Sequence, residues 1–173
     1  MGQKLAGCEI LLRRLSKNQV KCPTTMSYSL VWFKRDLRWQ DHTALALANQ
    51  QAPIRCIYVV EPELWQQPDA ALQHFEFIRE SLQDLDAHLR SMGGQIEIHH
   101  AETTDVLSRI WQEAPFSALF SHEETGNGWT FERDRKVSQR CKAHCITWNE
   151  FPQFGVVRGL KNRDLWQSAW EKH

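Results

Sequence analysis

The sequence specifies an α/β protein: a Rossmann-like, doubly wound, five-stranded parallel sheet with helices on both faces. Three observations carry this. From Ser29 onward, short runs rich in valine, isoleucine and aromatic residues alternate with segments of helical period. The first run, Leu30-Val31-Trp32-Phe33, stops at Lys34-Arg35-Asp36-Leu37-Arg38, a stretch with one uncharged residue, and a helical pattern containing Ala44 and Leu45 follows. Farther on, Phe75, Ile78, Leu82, Leu85, Leu89 and Met92 step by three and four along one helical stripe. Parallel neighbours need a crossover, and helical crossovers cover both faces of the sheet.

The elements follow in order. Ser29–Phe33 is the first strand and Thr43–Gln51 the first helix, with Asp41 or His42 near its cap. Ile54–Val60 is a second buried strand, ended by Glu61-Pro62 because proline cannot continue a central ladder. The long helix spans about Ala70–Met92, and Gly93-Gly94 supplies the left-handed stop. Gln95–His100 alternates as a third strand, and Thr104–Glu113 is a short helix with a Thr/Asp cap. Ala118–Ser121 is the fourth strand, Trp129–His144 a helix, Ile146–Trp148 a short fifth strand, and a last helical stretch begins near Arg163.

Bulk properties narrow the function classes. Lys plus Arg number 21 and Asp plus Glu 21, so the formal charge is zero. Binding nucleic acid by phosphate neutralisation favours a basic excess, so this module alone is a poor DNA binder. No apolar run approaches the length of a membrane span, so no membrane partner is expected. The five cysteines, Cys8, Cys22, Cys56, Cys141 and Cys145, are odd in number and lack a secretory signal. That fits a reducing, cytoplasmic compartment better than a disulfide scaffold. Cys141 and Cys145 lie one helical turn apart near His144, but no second ligand pair stands at zinc-site spacing, so thiols near the core are the reading and no metal is expected.

Residues 1–25 differ from the rest: Glu9 is their only acid against Lys4, Arg13, Arg14, Lys17 and Lys21. They read as an upstream extension of a chain that starts at Met26, as a basic targeting segment, or as a disordered tail. The first reading is favoured, which makes residues 26–160 the domain and 161–173 the start of a connection.

In a doubly wound sheet, ligands bind outside the carboxyl ends of the strands where the order reverses. By analogy with such sheets the strand order is 3-2-1-4-5, and the reversal falls between the first and fourth strands. The loops there are Lys34–Gln40 and His122–Trp129, both polar, and Gly126 and Gly128 allow close backbone approach in the second. Gly126-x-Gly128 is not a dinucleotide fingerprint and suits a tight turn equally well. Asp36 could instead pair with Arg35 or Arg38 in a solvated loop. No Ser/His/Asp or Cys/His arrangement can be proposed.

The run from Leu30 to Leu45 resembles the opening of the photolyase/cryptochrome family, a strand ending in Trp-Phe-Arg-x-Asp-Leu-Arg and continuing to an Asp-x-x-Ala-Leu helix start. Glu61-Pro62-Glu63-Leu64-Trp65, the helix from Phe75 to Arg90, and Glu132-Arg133-Asp134-Arg135-x-Val137 extend the likeness over nearly all of residues 29–170. The resemblance implies the amino-terminal α/β domain, which holds an antenna chromophore and passes excitation to FAD in a larger helical domain. In photolyases the excited reduced flavin then splits a pyrimidine dimer. It implies that the helical FAD-binding domain would follow His173, that damaged DNA is met only by the full-length protein, and that this fragment alone is not an enzyme.

Chromophore or cleft contacts are expected from Arg35, Asp36, Glu61, Glu123, Glu124, Asn127 and Glu132, the acids bonding donor edges of a heterocycle and Arg35 meeting carbonyl or phosphate oxygens. Glu132 matches the glutamate that contacts the pterin in folate-binding members. Phe131 stands where an asparagine is usual, and Pro68-Asp69 where a histidine is. One match and two departures weigh against folate, and a deazaflavin or flavin antenna, or an empty cleft, fits the likeness as well. Leu160–Trp166 departs from the family's Phe-Thr-Pro-Phe turn, which leaves dimer repair and blue-light signalling both open. A second reading is a free-standing nucleotide- or partner-binding module without photochemistry.

Overall fold

The computed structural model describes residues 28–51, 53–153, 158 and 160–171. The segment 1–25 lies outside the described residues. Strands β1 (Ser29–Phe33), β2 (Ile54–Val60), β3 (Ile96–His100), β4 (Ala118–His122) and β5 (Thr147–Phe151) form one parallel sheet in the order β3-β2-β1-β4-β5. The helices are α1 (Thr43–Gln51), α2 (Leu72–Ser91), α3 (Thr103–Glu113), α4 (Gly128–Ala143) and α5 (Trp166–Trp170), with single 3-10 turns at Leu64–Gln66 and Arg163–Leu165. Among the described residues, no helix is long and apolar enough to cross a membrane. The expected fold class and strand order are those observed.

Strand β1 is central and buried along its whole length, as a strand apolar but for Ser29 and covered on both faces must be. Its alternate residues feed two cores. Leu30 and Trp32 pack with Val106, Ile110 and Val137 under α3 and α4. Val31 and Phe33 pack with Ala44, Leu82, Leu85 and Leu89 under α1 and α2. Each large aliphatic side chain so buried gains roughly 1.5–3 kcal/mol over exposure. That packing is what holds a helix as short as α1, which would be marginal in isolation.

Several ends differ from the sequence reading for identifiable reasons. His42 caps α1, its Nδ1 accepting from the Leu45 amide at 3.0 Å. Helix α3 begins one residue early, at Thr103, and no side chain at its own N-cap bonds it. The cap comes from a distance: Glu61 Oε1 accepts from the Thr103 amide at 3.1 Å. After α4, Cys145 turns left-handed and the Ile146 amide donates to Cys141 O. Strand β5 therefore starts at Thr147, and its ladder with β4 runs on until Phe151 pairs His122. Gly93, at φ 85°, ends α2 as expected.

Helix α2 positions the site. Only Leu82, Leu85 and Leu89 of its stripe are fully buried. Phe75 and Ile78 are half-buried, because the first half of the helix stands beyond the carboxyl tips of β1 and β2 instead of lying flat on the sheet; Met92, the C-cap residue, is exposed.

Candidate functional site

A cleft of about 530 Å³ opens at the carboxyl ends of β1 and β2. Its walls are mostly apolar: Phe33 and Tyr58 from the sheet, Trp65 from the 3-10 turn, Phe77 and Ile78 from α2, with Glu124 and Arg133 closing the far end. It lies one strand farther from the reversal point than the sequence suggests. On the β5 side the Lys34 ammonium is sealed in, 4.4 Å from the Trp32 ring centroid, 3.0 Å from Asp134 Oδ2 and 3.6 Å from Glu150 Oε1. With that side closed, the open volume falls on the β2 side.

The far end is a buried ion cluster centred on Arg133. Its Nη1 donates to Glu61 Oε2 at 2.7 Å, and its Nη2 donates to Glu124 Oε2 at 3.2 Å and lies 2.9 Å from Asp134 Oδ1. Burial works against this cation, but the Glu61, Asp134 and Glu124 charges outweigh it and raise the guanidinium further above its usual value. The same guanidinium lies 4.8 Å from the Trp32 ring centroid. Arg158 Nε adds a bond to the Glu124 carbonyl at 2.9 Å.

Beneath the loop after β1, Asp36 is closed off from solvent. Its Oδ1 accepts from the Lys34 amide at 2.8 Å, and its Oδ2 lies 2.5 Å from His122 Nδ1 and 2.8 Å from His42 Nε2. Burial alone would raise this carboxyl; the bonds from His122 and His42, with the Lys34 amide, win and hold it well below the usual carboxylate range. Three buried groups of this kind invite a metal reading. The chemistry fits a proton better. Divalent ions held at ~2.0–2.2 Å keep their ligands farther apart than 2.5 Å. His42 Nδ1 is also occupied as an acceptor of the Leu45 amide, so the neutral ring carries its proton on Nε2, the atom an ion would need. The solvated pairing of Asp36 with Arg35 or Arg38 is thereby corrected: the carboxylate turns inward to the histidines.

The structure brings four of the seven expected residues to the cleft and leaves three outside its lining. Arg35, Asp36, Glu61 and Glu124 line it. Arg35 Nε lies 3.5 Å from Glu124 Oε1, and its side chain is 56% exposed. Asn127 stands at the rim as the N-cap of α4, accepting from the Thr130 amide at 3.1 Å and donating to Asp69 at 2.9 Å. Glu123 turns toward Arg158 at 3.7 Å. Glu132 is on the outer face of α4, 55% exposed and paired with Arg135 at 2.9 Å. Gly126 is approached closely by Thr130, Arg35 and Glu124 of the chain itself. Its lack of a side chain thus serves internal packing.

Sequence reasoning missed Arg133, Tyr58, His42 and His122 as site-forming groups. For Arg133 the signal existed: Thr130, Arg133, Asp134, Val137 and Cys141 share the buried face of α4 at spacings of three and four, whereas Glu132 falls off that face. Tyr58 shares the α2-facing side of β2 with Cys56. The two histidines had no such signal, since nothing in their spacing reveals a common partner.

The sequence model of the DNA photolyase family matches residues 29–158. Among curated relatives, chicken (Gallus gallus) cryptochrome-2 is 30% identical over 121 residues, which cover 69% of this chain and 21% of that protein. Mouse (Mus musculus) cryptochrome-1 is 29% identical over 109 residues, covering 62% and 18%. The chain thus spans about a fifth of the length of these relatives. Among solved structures, an archaeal photolyase from Sulfolobus tokodaii, described as carrying two FAD molecules, superposes with a TM-score of 0.72 at 22% identity, covering 84% of this chain and 35% of that one. With more than half of its length matched to one family and its sheet shared with the photolyase fold, the chain belongs to the DNA photolyase family, as the amino-terminal α/β domain of its photolyases and cryptochromes.

Proposed function

We propose that this domain holds a planar, light-absorbing chromophore in the cleft over β1 and β2 and acts as the antenna of a flavoprotein. Its excitation would pass to FAD carried by a helical domain that packs beside it. Light-driven repair of pyrimidine dimers, on damaged DNA bound by the longer protein, is the activity such an antenna serves. The observation that carries the reading is the cleft itself, in a chain of this family: about 530 Å³, within the usual range of small-molecule sites, with aromatic and aliphatic walls and a charged far end.

A flat heterocycle fits the donor set. Phe33, Phe77 and Ile78 would flank its faces, and the exposed Arg35 guanidinium, beside Glu124, is free to turn toward a carbonyl or phosphate oxygen. Glu61 and Glu124 act on Arg133, fixing the far wall; Asn127 and Asp69 tie the rim. The chromophore supplies absorption, and the residues here bind it, orient it and exclude water from it. The chicken and mouse relatives are cryptochromes, which favours blue-light signalling as the alternative output of the same antenna.

Purification of the 173-residue chain in the dark tests the reading. A near-UV or blue absorption band that stays with the folded protein through gel filtration, and is released on denaturation, is the expected result. A colourless protein that also leaves the fluorescence of added flavins and pterins unchanged would overturn it.

A further inference from the structure

The groups lining the cleft differ in what they have left to offer a ligand. Its carboxylates are committed. Glu61 takes the Thr103 amide on Oε1 and Arg133 on Oε2; Glu124 takes the Thr125 amide on Oε1 and Arg133 on Oε2. Asp36 is enclosed by two histidines. The donors are in the opposite condition. Tyr58 is 4% exposed and lines the cleft, and among the described residues its hydroxyl has no hydrogen-bond partner and is not one of the fully sealed polar atoms. What exposure it has is toward the cleft. Burial, reinforced by the Glu61 charge, pushes this phenol up to about 12, so it keeps its proton at neutral pH. Arg35, 56% exposed, reaches Glu124 only at 3.5 Å.

The inner cleft therefore carries a surplus of donors over free acceptors. A buried donor left unmatched costs more than a matched one gains, so ligands sort by the edge they present. We propose that Tyr58 is the polar anchor of the cleft and that the site takes a flat ring system edged by carbonyl oxygens and unprotonated ring nitrogens, in preference to one edged by amino groups. An isoalloxazine sets two carbonyls and two bare ring nitrogens against a single N–H; a 2-amino-pterin has one carbonyl and three N–H bonds, for which this wall has few acceptors. This rests on the chromophore reading above. It also reverses the expectation that acidic side chains would bond the donor edge of the heterocycle.

Riboflavin and biopterin test the idea, because both are uncharged and differ in ring edge without a phosphate or glutamate tail. Each is titrated by fluorescence into the 173-residue chain, as wild type, Tyr58→Phe and Arg35→Gln. Riboflavin is expected to bind at least about tenfold more tightly than biopterin. Tyr58→Phe keeps the ring and removes the hydroxyl; it should weaken riboflavin roughly three- to tenfold, the value of one hydrogen bond, and leave biopterin nearly unchanged. Arg35→Gln, at an exposed side chain, should weaken riboflavin by a similar factor and keeps the test available should Tyr58→Phe fold poorly. Biopterin binding more tightly than riboflavin, or Tyr58→Phe binding riboflavin as wild type does, would overturn this inference and leave the chromophore reading standing. Binding of neither ligand to wild type would overturn both.

Discussion

Arg133 Nη1 meets Glu61 Oε2 at 2.7 Å, joining the first turns of α4 to the end of β2 across the tip of β1. Both side chains are nearly out of contact with solvent, 7% and 2% exposed. At that depth the cost of an unpaired charge dominates, since desolvation has already been met on folding. Arg133→Met strands Glu61 and Glu124 and should cost about 3–5 kcal/mol in urea denaturation. Adding Glu61→Gln removes one stranded charge, so the double variant should be less unstable than the single one. A single-variant loss below about 1 kcal/mol would show that water reaches these carboxylates.

The Asp36 carboxyl is held below its ordinary value by His122 and His42, against the opposing effect of burial. A carboxyl depressed in the folded state favours folding above its unfolded value, near pH ~3.9. That contribution drains away as pH falls toward the folded value. Wild type should therefore lose stability steeply below about pH 4. Asp36→Asn, less stable at neutral pH, should show a flatter slope there. Chemical denaturation at intervals from neutral to acid pH measures both slopes, and parallel curves would remove Asp36 from the account of acid unfolding.

What the sequence made legible, and what it hid, divides along a physical line. The apolar run Leu30–Phe33 and the stripe ending in Leu82, Leu85 and Leu89 announce β1 and α2 because burial imposes a period on the chain. Parallel order and both cores follow from that alternation. Contacts set by tertiary approach leave no local trace. Glu61 reads as the residue before a strand-ending proline, yet it caps α3 and pairs Arg133, 42 and 72 residues away. Asp36 reads as a loop charge because its histidine partners are supplied by the cap of α1 and by β4. Glu132 has the sequence likeness and Arg133 the geometry, a difference of one residue and about 100° around the helix.

Thiol reactivity follows burial as directly. Cys56 is 5% exposed and Cys141 3%. Burial pushes their thiols up to about 12 and about 11. Since the thiolate is the nucleophile, neither should react in the native protein. Iodoacetamide at mildly alkaline pH, followed by peptide mapping, should leave both peptides unmodified until urea is added. Modification of Cys56 in the folded protein would mean that the α2 side of the sheet opens readily.

Two glycines in one loop should answer oppositely to alanine. A Cβ on Gly126 would lie 2.7 Å from Thr130 Oγ1, 3.0 Å from an Arg35 nitrogen and 3.2 Å from Glu124 Oε1. Arg35 can swing away, but Thr130 Oγ1 is bonded to Asn127 O at 2.8 Å and Glu124 is held by Arg133 at 3.2 Å. Crowding of this kind costs about 1–3 kcal/mol, and it should also move Arg35 from its place beside Glu124 in the cleft lining. Gly128 opens α4, and a Cβ there meets nothing within 4 Å. Alanine is the better helix residue by up to ~1 kcal/mol, so Gly128→Ala should be neutral or stabilising. Thermal melts of the two variants give the comparison. If Gly126→Ala melted as high as Gly128→Ala, the close packing of the loop after β4 against Arg35 would not exist in solution.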